Sequence, residues 1–300
     1  MTDRYHDAAS PLVSEQILLK SAAGPNLITA PNYSQVVNYN QQQTDVLLDI
    51  TPKLTLRGGY RYIWGDATVL ATPLSQTGTA EAGQLKRSVG LAGLTFRPAE
   101  KLSVNLDYEG ASSDRFYFRT SLNDYHKARA RAKYQPTSAL SFQANFQVLD
   151  NQNPAADIQY DFQSRDSSLA VYWTPGCGKR LSVMGEYDRS TLRSRVRFLD
   201  LPFLSPAFSS YRDNAHTATS AIDLTIPGVT AAKLTVGGSL FISSGSRPSQ
   251  YYQPLTRLSL QLQEHVYWNT EWQYYGYGEQ FYLYEGFRTH IFMTGLRLTR

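Results

Sequence analysis

Four basic side chains recur at every second position within the segment KARARAKY of this 300-residue chain. Lys127, Arg129, Arg131 and Lys133 alternate there with three alanines and one tyrosine. In an extended strand alternate side chains share one face, so like charges would lie about 7 Å apart along it. A ladder of this kind can bind anions or bias the passage of ions. Water must cover it, because a cation that faces lipid at the bilayer centre costs about 2–4 kcal/mol.

Further charged residues fall on the same face of neighbouring predicted strands. They are Arg57, Arg61, Asp107, Glu109, Glu186, Asp188, Asp223 and Glu271. If these residues line an open lumen, the excess of cations favours the passage of anions, as charged rings do in pores. If the lumen is filled, the same residues form a salt-bridged network or hold a polar partner. A third interpretation is that the architecture simply requires a polar interior.

The sequence carries no motif that indicates catalysis or a bound cofactor. Its five histidines lack HxH or HExxH spacing, and no serine lies in a GxSxG elbow. The single cysteine, Cys177, excludes an internal disulfide, and no CxxCH motif is present for covalent haem. We therefore predict a protein that is not an enzyme and that binds no cofactor or metal. A hydrolase whose site is assembled from distant strands of a barrel is the enzymatic alternative.

The elements that must position the charged residues repeat along the chain. Five times an alternating apolar and polar run meets a proline turn, and a leucine then opens another alternating run. The turn prolines are Pro52, Pro98, Pro136, Pro175 and Pro227. Because proline cannot donate a ladder hydrogen bond, each of them indicates the turn of a β-hairpin.

These hairpins predict an all-β fold, an antiparallel up-and-down transmembrane β-barrel, or a large part of one, of about 13–14 strands. Strands of about 10–12 residues match the length that a tilted strand needs to cross a bilayer. Short turns are expected at one end and long loops at the other. The predicted long loops are 65–85, 113–122, 150–161, 192–215, 244–253 and 277–287. The barrel domain is predicted over 41–300, after an N-terminal segment, 1–40, with a first strand and a loop.

The other face of the predicted strands is apolar, as in Leu102, Val104 and Leu106. Large aromatic residues cluster at both ends of these strands, where amphipathic rings mark the two interfaces of a membrane. The predicted interface aromatics are Trp64, Phe96, Tyr108, Tyr134, Trp173 and Tyr187. The competing interpretation is cross-strand aromatic packing in a soluble all-β binding or structural protein.

Composition narrows the classes of partner. The net charge of +4 is spread over 29 basic and 25 acidic residues, so no nucleic-acid partner is predicted. Apolar runs are far shorter than the roughly 18 residues of a transmembrane helix. The N-terminus lacks the pattern of a secretory signal, so we expect that a signal was removed or that the chain starts inside a longer gene.

The repeated turns TPKLTL, RPAEKLSV, QPTSALSF and TPGCGKRLSV, with the terminal strand FRTHIFMTGLRL (287–298), resemble Gram-negative outer-membrane β-barrels of the porin-like kind. More narrowly, they resemble the barrel partner of multihaem cytochromes in electron conduits, of which this chain would be the C-terminal portion. The resemblance implies an outer-membrane location, a lipid bilayer as partner, and a role as a pore or as a sheath for a periplasmic multihaem cytochrome. The chain departs from many such barrels in ending on Leu298-Thr299-Arg300 rather than on an aromatic residue.

Overall fold

The computed structural model describes fifteen β-strands and some of the connections between them. The described residues are 16–21, 24–29, 33–71, 79–115, 120–156, 158–176, 180–200, 205–226, 231–279 and 286–299. No helix in this part of the chain has the length and apolar character needed to cross a membrane.

Strand bounds follow the alternating segments of the sequence. The strands are β1 (Gln16–Ser21), β2 (Gly24–Thr29), β3 (Tyr33–Thr51), β4 (Leu54–Ala71), β5 (Thr79–Ala99), β6 (Leu102–Arg115), β7 (Asp124–Thr137), β8 (Leu140–Asn153), β9 (Tyr160–Trp173), β10 (Leu181–Asp200), β11 (Ser205–Ile226), β12 (Ala232–Gly245), β13 (Ser249–Gln263), β14 (Val266–Glu279) and β15 (Phe287–Leu298). β1 and β2 pair only with each other, whereas β3 to β15 form one 13-stranded sheet in sequence order. The predicted all-β, antiparallel up-and-down fold is therefore confirmed.

The strand ends that the proline turns connect all lie at one end of this sheet, because successive strands alternate in direction. Pro52 and Pro175 lie in connections, whereas Pro98 and Pro136 are among the last residues of β5 and β7. At both of these positions the ladder shifts register just before the turn, which accommodates a residue that cannot donate a hydrogen bond. Pro227 and Cys177 lie outside the described residues.

Three of the predicted long loops, 65–85, 192–215 and 244–253, are largely strand, so those predictions are wrong. β4 and β5 stay paired as far as Ala71 and Thr79. β10 and β11 stay paired residue by residue as far as Asp200 and Ser205. The alternation of apolar and polar side chains fades in this segment, and the pattern therefore predicts a loop. A backbone ladder does not need an apolar face, however, and the hairpin simply continues beyond the alternating region.

The sheet is open in the described residues, since β3 and β15 are edges that do not pair with each other. Thirteen strands that alternate in direction leave the first and the last strand running the same way. Side chains on these edges are among the most exposed of the molecule, with Phe292 at 76% and Leu298 at 77%. The two edges thus present unpaired backbone groups that a completed sheet would satisfy.

The two faces of the sheet differ in burial. We call the face that carries Arg129 the inner face and the face that carries Ala130 the outer face. Apart from glycine, every buried side chain that a strand contributes lies on the inner face by register, for example Val89, Tyr125 and Asn151. Most of the exposed large apolar side chains lie on the outer face. Burial confined to one face indicates that the sheet is concave on that side.

Candidate functional site

The strand register places all twelve predicted charge candidates on the inner face. Asp107 lies directly opposite Arg129, and Glu109 directly opposite Lys127, on β6 and β7. The same transverse rows continue to the carboxylates of β10, where Asp188 shares a row with Arg131 through two intervening strands. One surface therefore gathers residues that are far apart in the sequence.

Charge on this surface is divided by strand. The basic sector, on β4 and β7, comprises Arg57, Arg61, Lys127, Arg129, Arg131 and Lys133. The acidic sector, on β9 to β11, comprises Asp166, Glu186, Asp188 and Asp223. β8 lies between them and presents the neutral amides Gln143, Asn145 and Gln147 to the same face. A solute that touches this surface meets cations on one side and carboxylates on the other.

Two carboxylates of β6 compensate part of the basic sector. Arg131 Nη2 lies 2.8 Å from Asp107 Oδ2, and Arg61 Nη2 lies 3.7 Å from Glu109 Oε1. Arg129 instead donates to Gln147 Oε1 over 3.0 and 2.6 Å from its Nε and Nη2. The sector keeps an excess of positive charge, because among the described residues its six cations have only three carboxylates within 4.0 Å, these two and Asp45 of β3.

Lys127 and Lys133 complete the ladder without such compensation. Within the described part of the chain, neither amine lies within 4.0 Å of a carboxylate oxygen. Arg57 by contrast lies 3.0 Å from Asp45 on the edge strand β3. The uncompensated charge is therefore concentrated on β7.

Carboxylates of the acidic sector are held by hydroxyl groups. Ser164 and Ser190 donate to the two oxygens of Asp166 over 2.9 and 2.5 Å. Farther along the sheet, Asp223 lies 3.5 Å from Lys233. The predicted candidate Glu271 is remote from this region, where Arg257 Nε lies 2.5 Å from its Oε2. Glu271 thus belongs to a local ion pair rather than to the divided surface.

Two depressions in the inner face mark where a solute would lie. The first, of ≈ 270 Å³, is lined by basic-sector residues together with Asp107 and Glu109. The second, of ≈ 460 Å³, spans the amide strand from Arg129 and Arg131 to Asp166 and Asp188. Its position bridges the two sectors. Among the residues that the structure describes, no three His, Cys, Asp or Glu side chains are grouped as a metal site.

Three predicted interface aromatics form a line at the turn end of the outer face. Phe96, Tyr134 and Trp173 pair in register with Leu54, Leu102 and Leu140, the leucines that open the adjacent strands. The row of paired residues through Phe96 crosses β7 at Ala132 and β9 at Leu169. Tyr134 lies two residues nearer the turn end than Ala132, and Trp173 lies four residues nearer it than Leu169. The line therefore steps about one residue per strand, as expected for the tilted strands of a sheared sheet.

A second line of rings, on the side of the long connections, includes three histidines. The Tyr108 hydroxyl lies 2.6 Å from Nδ1 of His126, and the Tyr187 hydroxyl lies 2.7 Å from Nδ1 of His216. Trp272 Nε1 donates to Nδ1 of His290 over 3.2 Å.

These three pairs lie at one level of the sheet. Tyr108, Tyr187 and Trp272 are on β6, β10 and β14, four strands apart. The row of paired residues through Tyr108 reaches Thr191 on β10, and the row through Tyr187 reaches Gly276 on β14. Tyr187 and Trp272 each lie four residues nearer the turn end than these positions. The second line is therefore parallel to the first. The signal in the sequence is a tyrosine or tryptophan on one strand and a histidine on the next strand, and only the register connects the two.

Between the two lines the outer face is an apolar band. On β6 it runs from Leu102 through Val104 and Leu106 to the level of Gly110, which pairs with His126. Eight residues at about 3.4 Å each span about 27 Å along the strand, or about 20 Å along the axis at a tilt of about 40°. This height is close to the apolar band of about 25 Å on outer-membrane barrels. The remaining predicted interface aromatic, Trp64, also projects from the outer face.

The chain aligns at low identity with solved structures of outer-membrane proteins. It aligns over 99% of its length with 98% of a loop-deletion mutant of OmpT, an outer membrane protein of Vibrio cholerae, at 10% identity and a TM-score of 0.40. Over 92% of its length it aligns with 94% of a porin, at 13% identity and a TM-score of 0.38. A third alignment covers 92% of this chain and 90% of an anion-selective porin from Comamonas acidovorans, at 8% identity and a TM-score of 0.41.

No protein-family model matches the chain, and a search of curated proteins gives no match. Scores and identities as low as those of the solved structures assign the chain to no family. The fold therefore stands on its own strand register, and any function must be argued from the two faces of the sheet.

Proposed function

We propose that the chain forms a β-barrel pore in the outer membrane, with the inner face lining the lumen. The exposed apolar band, flanked by two parallel lines of aromatic rings, supports the membrane location. An apolar surface of this extent is unfavourable in water, but it is favourable in contact with the acyl chains of a bilayer. The polar inner face supplies the aqueous interior that such a barrel encloses.

The division of charge on the inner face is the observation that carries the functional proposal. Cations on β4 and β7 face carboxylates on β9 to β11 across the amide strand β8. A hydrophilic solute in the lumen is therefore oriented by its own charge separation, and anions are drawn toward the basic sector. We infer a passage for small polar solutes with a preference for anions.

Closure of the lumen imposes a rule on what completes the sheet. β3 and β15 run in the same direction, so an antiparallel closure requires an odd number of further strands between them. One added strand would give fourteen, which satisfies the even number found in single-chain bacterial barrels. We propose that a strand of the full protein fills this place.

Ion selectivity of the full protein in planar bilayers tests the proposal. Under a salt gradient, the wild type is expected to give a reversal potential that indicates anion preference. Arg129→Glu combined with Arg131→Glu should shift the potential toward cation preference, because four units of charge change in the lumen. The matched control is Arg195→Glu with Arg197→Glu, which makes the same change at the same spacing on the outer face of β10. An equal shift in both double variants, or none in either, would contradict the proposal.

The finer prediction is a barrel that sheathes a multihaem cytochrome, and in that case the lumen is filled by the partner rather than open. A sheath filled by its partner should conduct ions only after the partner is removed. No contact among the described residues tests this role, and it stays a prediction. Conductance of the purified chain without haem protein favours the pore.

A further inference from the structure

A groove of ≈ 520 Å³ lies on the outer face where β9, β10 and β11 leave the apolar band. Four of the side chains that line it are Arg165, Arg189, Arg193 and Arg212. Register places all four on the outer face, opposite to the basic sector of the lumen. Positive charge is thus gathered outside the barrel, at the end of the long connections.

Two of these arginines are placed where they repel each other. Arg193 on β10 pairs directly with Arg212 on β11. Like charges directly opposite across a ladder are destabilising. In the part of the chain that the structure describes, neither guanidinium lies within 4.0 Å of a carboxylate oxygen. The pair therefore gains from an anion that both guanidinium groups can reach.

The other two arginines already have partners, and Arg165 uses both of its Nη groups, since Nη1 donates to the carbonyls of Leu149 and Ser164 over 3.2 and 2.8 Å. Arg165 Nη2 donates to both oxygens of Asp150 over 2.7 and 3.0 Å. Arg189 Nε donates to Asn214 Oδ1 over 3.3 Å. Asp213 also borders the groove, although register assigns its side chain to the inner face. The outer side of the groove is accordingly cationic.

The apolar band continues directly below this groove. Arg189 pairs with His216, a member of the second line of rings, and Tyr187 lies two residues nearer the turn end on β10. On β9 the outward side chain of Leu169 is 52% exposed. A molecule held in the groove by a charged group would lay any attached acyl chain against these side chains.

We propose that the groove binds the phosphate of a lipid headgroup in the leaflet at the long-connection end, with one phosphate bridging Arg193 and Arg212. Guanidinium groups match phosphate oxygens in pairs of parallel hydrogen bonds. Basic pockets beside membrane-spanning segments bind anionic headgroups for the same reason. This inference rests on the proposed membrane location, and the apolar side chains beneath the groove favour a lipid over free phosphate.

Lipid titration of the full protein in neutral detergent micelles tests the site. The probes are phosphatidic acid, phosphatidylcholine and inorganic phosphate, and native mass spectrometry measures the bound fraction. Phosphatidic acid is expected to bind in preference to the other two. Arg193→Gln with Arg212→Gln should weaken its binding by about thirty-fold, at about 1 kcal/mol for each arginine near a charged lipid.

The control is Arg195→Gln with Arg197→Gln, outside the groove, where Arg195 stacks on Phe208 at 4.2 Å. It should keep most of the affinity. Without lipid, the Arg193 and Arg212 double variant should melt no lower than the wild type, because the change removes a repulsion.

Three outcomes overturn the site: unchanged affinity in the Arg193 and Arg212 variant, equal loss in the control, or equal binding of inorganic phosphate. Failure of the pore is a separate result. A protein that binds phosphatidic acid through these arginines but conducts no ions keeps the lipid site and refutes the pore. A protein that conducts but does not distinguish the probes does the reverse.

Discussion

The inner and outer faces of this sheet reverse the rule of soluble proteins. On the inner face, polar residues such as Asn151 and Ser164 are buried. On the outer face, apolar residues such as Leu106 and Phe146 remain exposed, at 45% and 48%. A soluble sandwich would bury the second set between two sheets. The contrast favours the proposal that the outer face contacts lipid rather than water.

The strongest test of this contrast introduces a cation on each face of the same strand and compares the losses of stability. Leu169→Arg on the outer face of β9 should destabilise the membrane-inserted protein by about 2–4 kcal/mol, because the cation faces lipid. Ser168→Arg on the inner face, beside the acidic sector, should cost far less. Urea unfolding from lipid vesicles measures both. If Leu169→Arg costs under about 0.5 kcal/mol, as at an ordinary soluble surface, the outer face is wet.

A second variant probes the buried polar side of the comparison. Asn151 is 1% exposed, accepts the Asn123 backbone N–H over 2.8 Å and donates to the Ser121 carbonyl over 3.1 Å. Asn151→Ala should cost about 1–3 kcal/mol, since it removes the acceptor of the backbone N–H of the buried residue Asn123. Unfolding in vesicles gives the total loss, and hydrogen exchange of residues 120–123 should rise. An unchanged exchange rate would show that the segment is held by other contacts.

The second line of rings predicts a smaller effect. Tyr187→Phe removes only the hydroxyl that lies 2.7 Å from Nδ1 of His216, so it should cost about 0.5–1.5 kcal/mol. His216→Phe in the Tyr187→Phe background should add little if the hydrogen bond is the main coupling. A double-mutant cycle of unfolding free energies checks this, and strictly additive effects would separate the two residues.

Reversal potentials give the smallest expected change. Glu186→Gln with Asp188→Asn neutralises two carboxylates of the acidic sector and should raise anion preference by about twofold, less than the opposite shift in the basic sector. The difference should shrink at high salt, where a Debye length of about 3 Å at 1 M screens exposed charges. An unchanged reversal potential would place the acidic sector outside the conduction path.

Sequence patterns predicted the topology because hairpin turns and period-two alternation are local properties. Pro52 and Leu54, for example, locate one turn and the strand that follows it without any knowledge of the rest of the chain. Parity within a strand likewise assigns Lys127 and Arg129 to one face. In an up-and-down sheet, strands that are consecutive in the sequence are neighbours. The grouping of charges on the inner face could therefore be predicted from the sequence.

The parts that the sequence did not predict depend on register between strands. The pairing of Arg193 with Arg212, and of Tyr108 with His126, requires knowing how far each hairpin extends. The segment 192–215 hides that extent, because its apolar and polar residues do not alternate while backbone hydrogen bonds still hold β10 and β11 together. Closure of the sheet into a barrel is equally non-local, since it depends on which strand pairs with the edge strand β3.

A cysteine scan along β7 tests most directly the claim that the two faces see different solvents. In a Cys177→Ser background, single cysteines replace Arg129, Ala130, Arg131 and Ala132 in the full protein reconstituted in lipid vesicles. A water-soluble maleimide should label positions 129 and 131 from the lumen and leave 130 and 132 unlabelled in lipid. Equal labelling at all four positions, or labelling only at 130 and 132, would contradict the account.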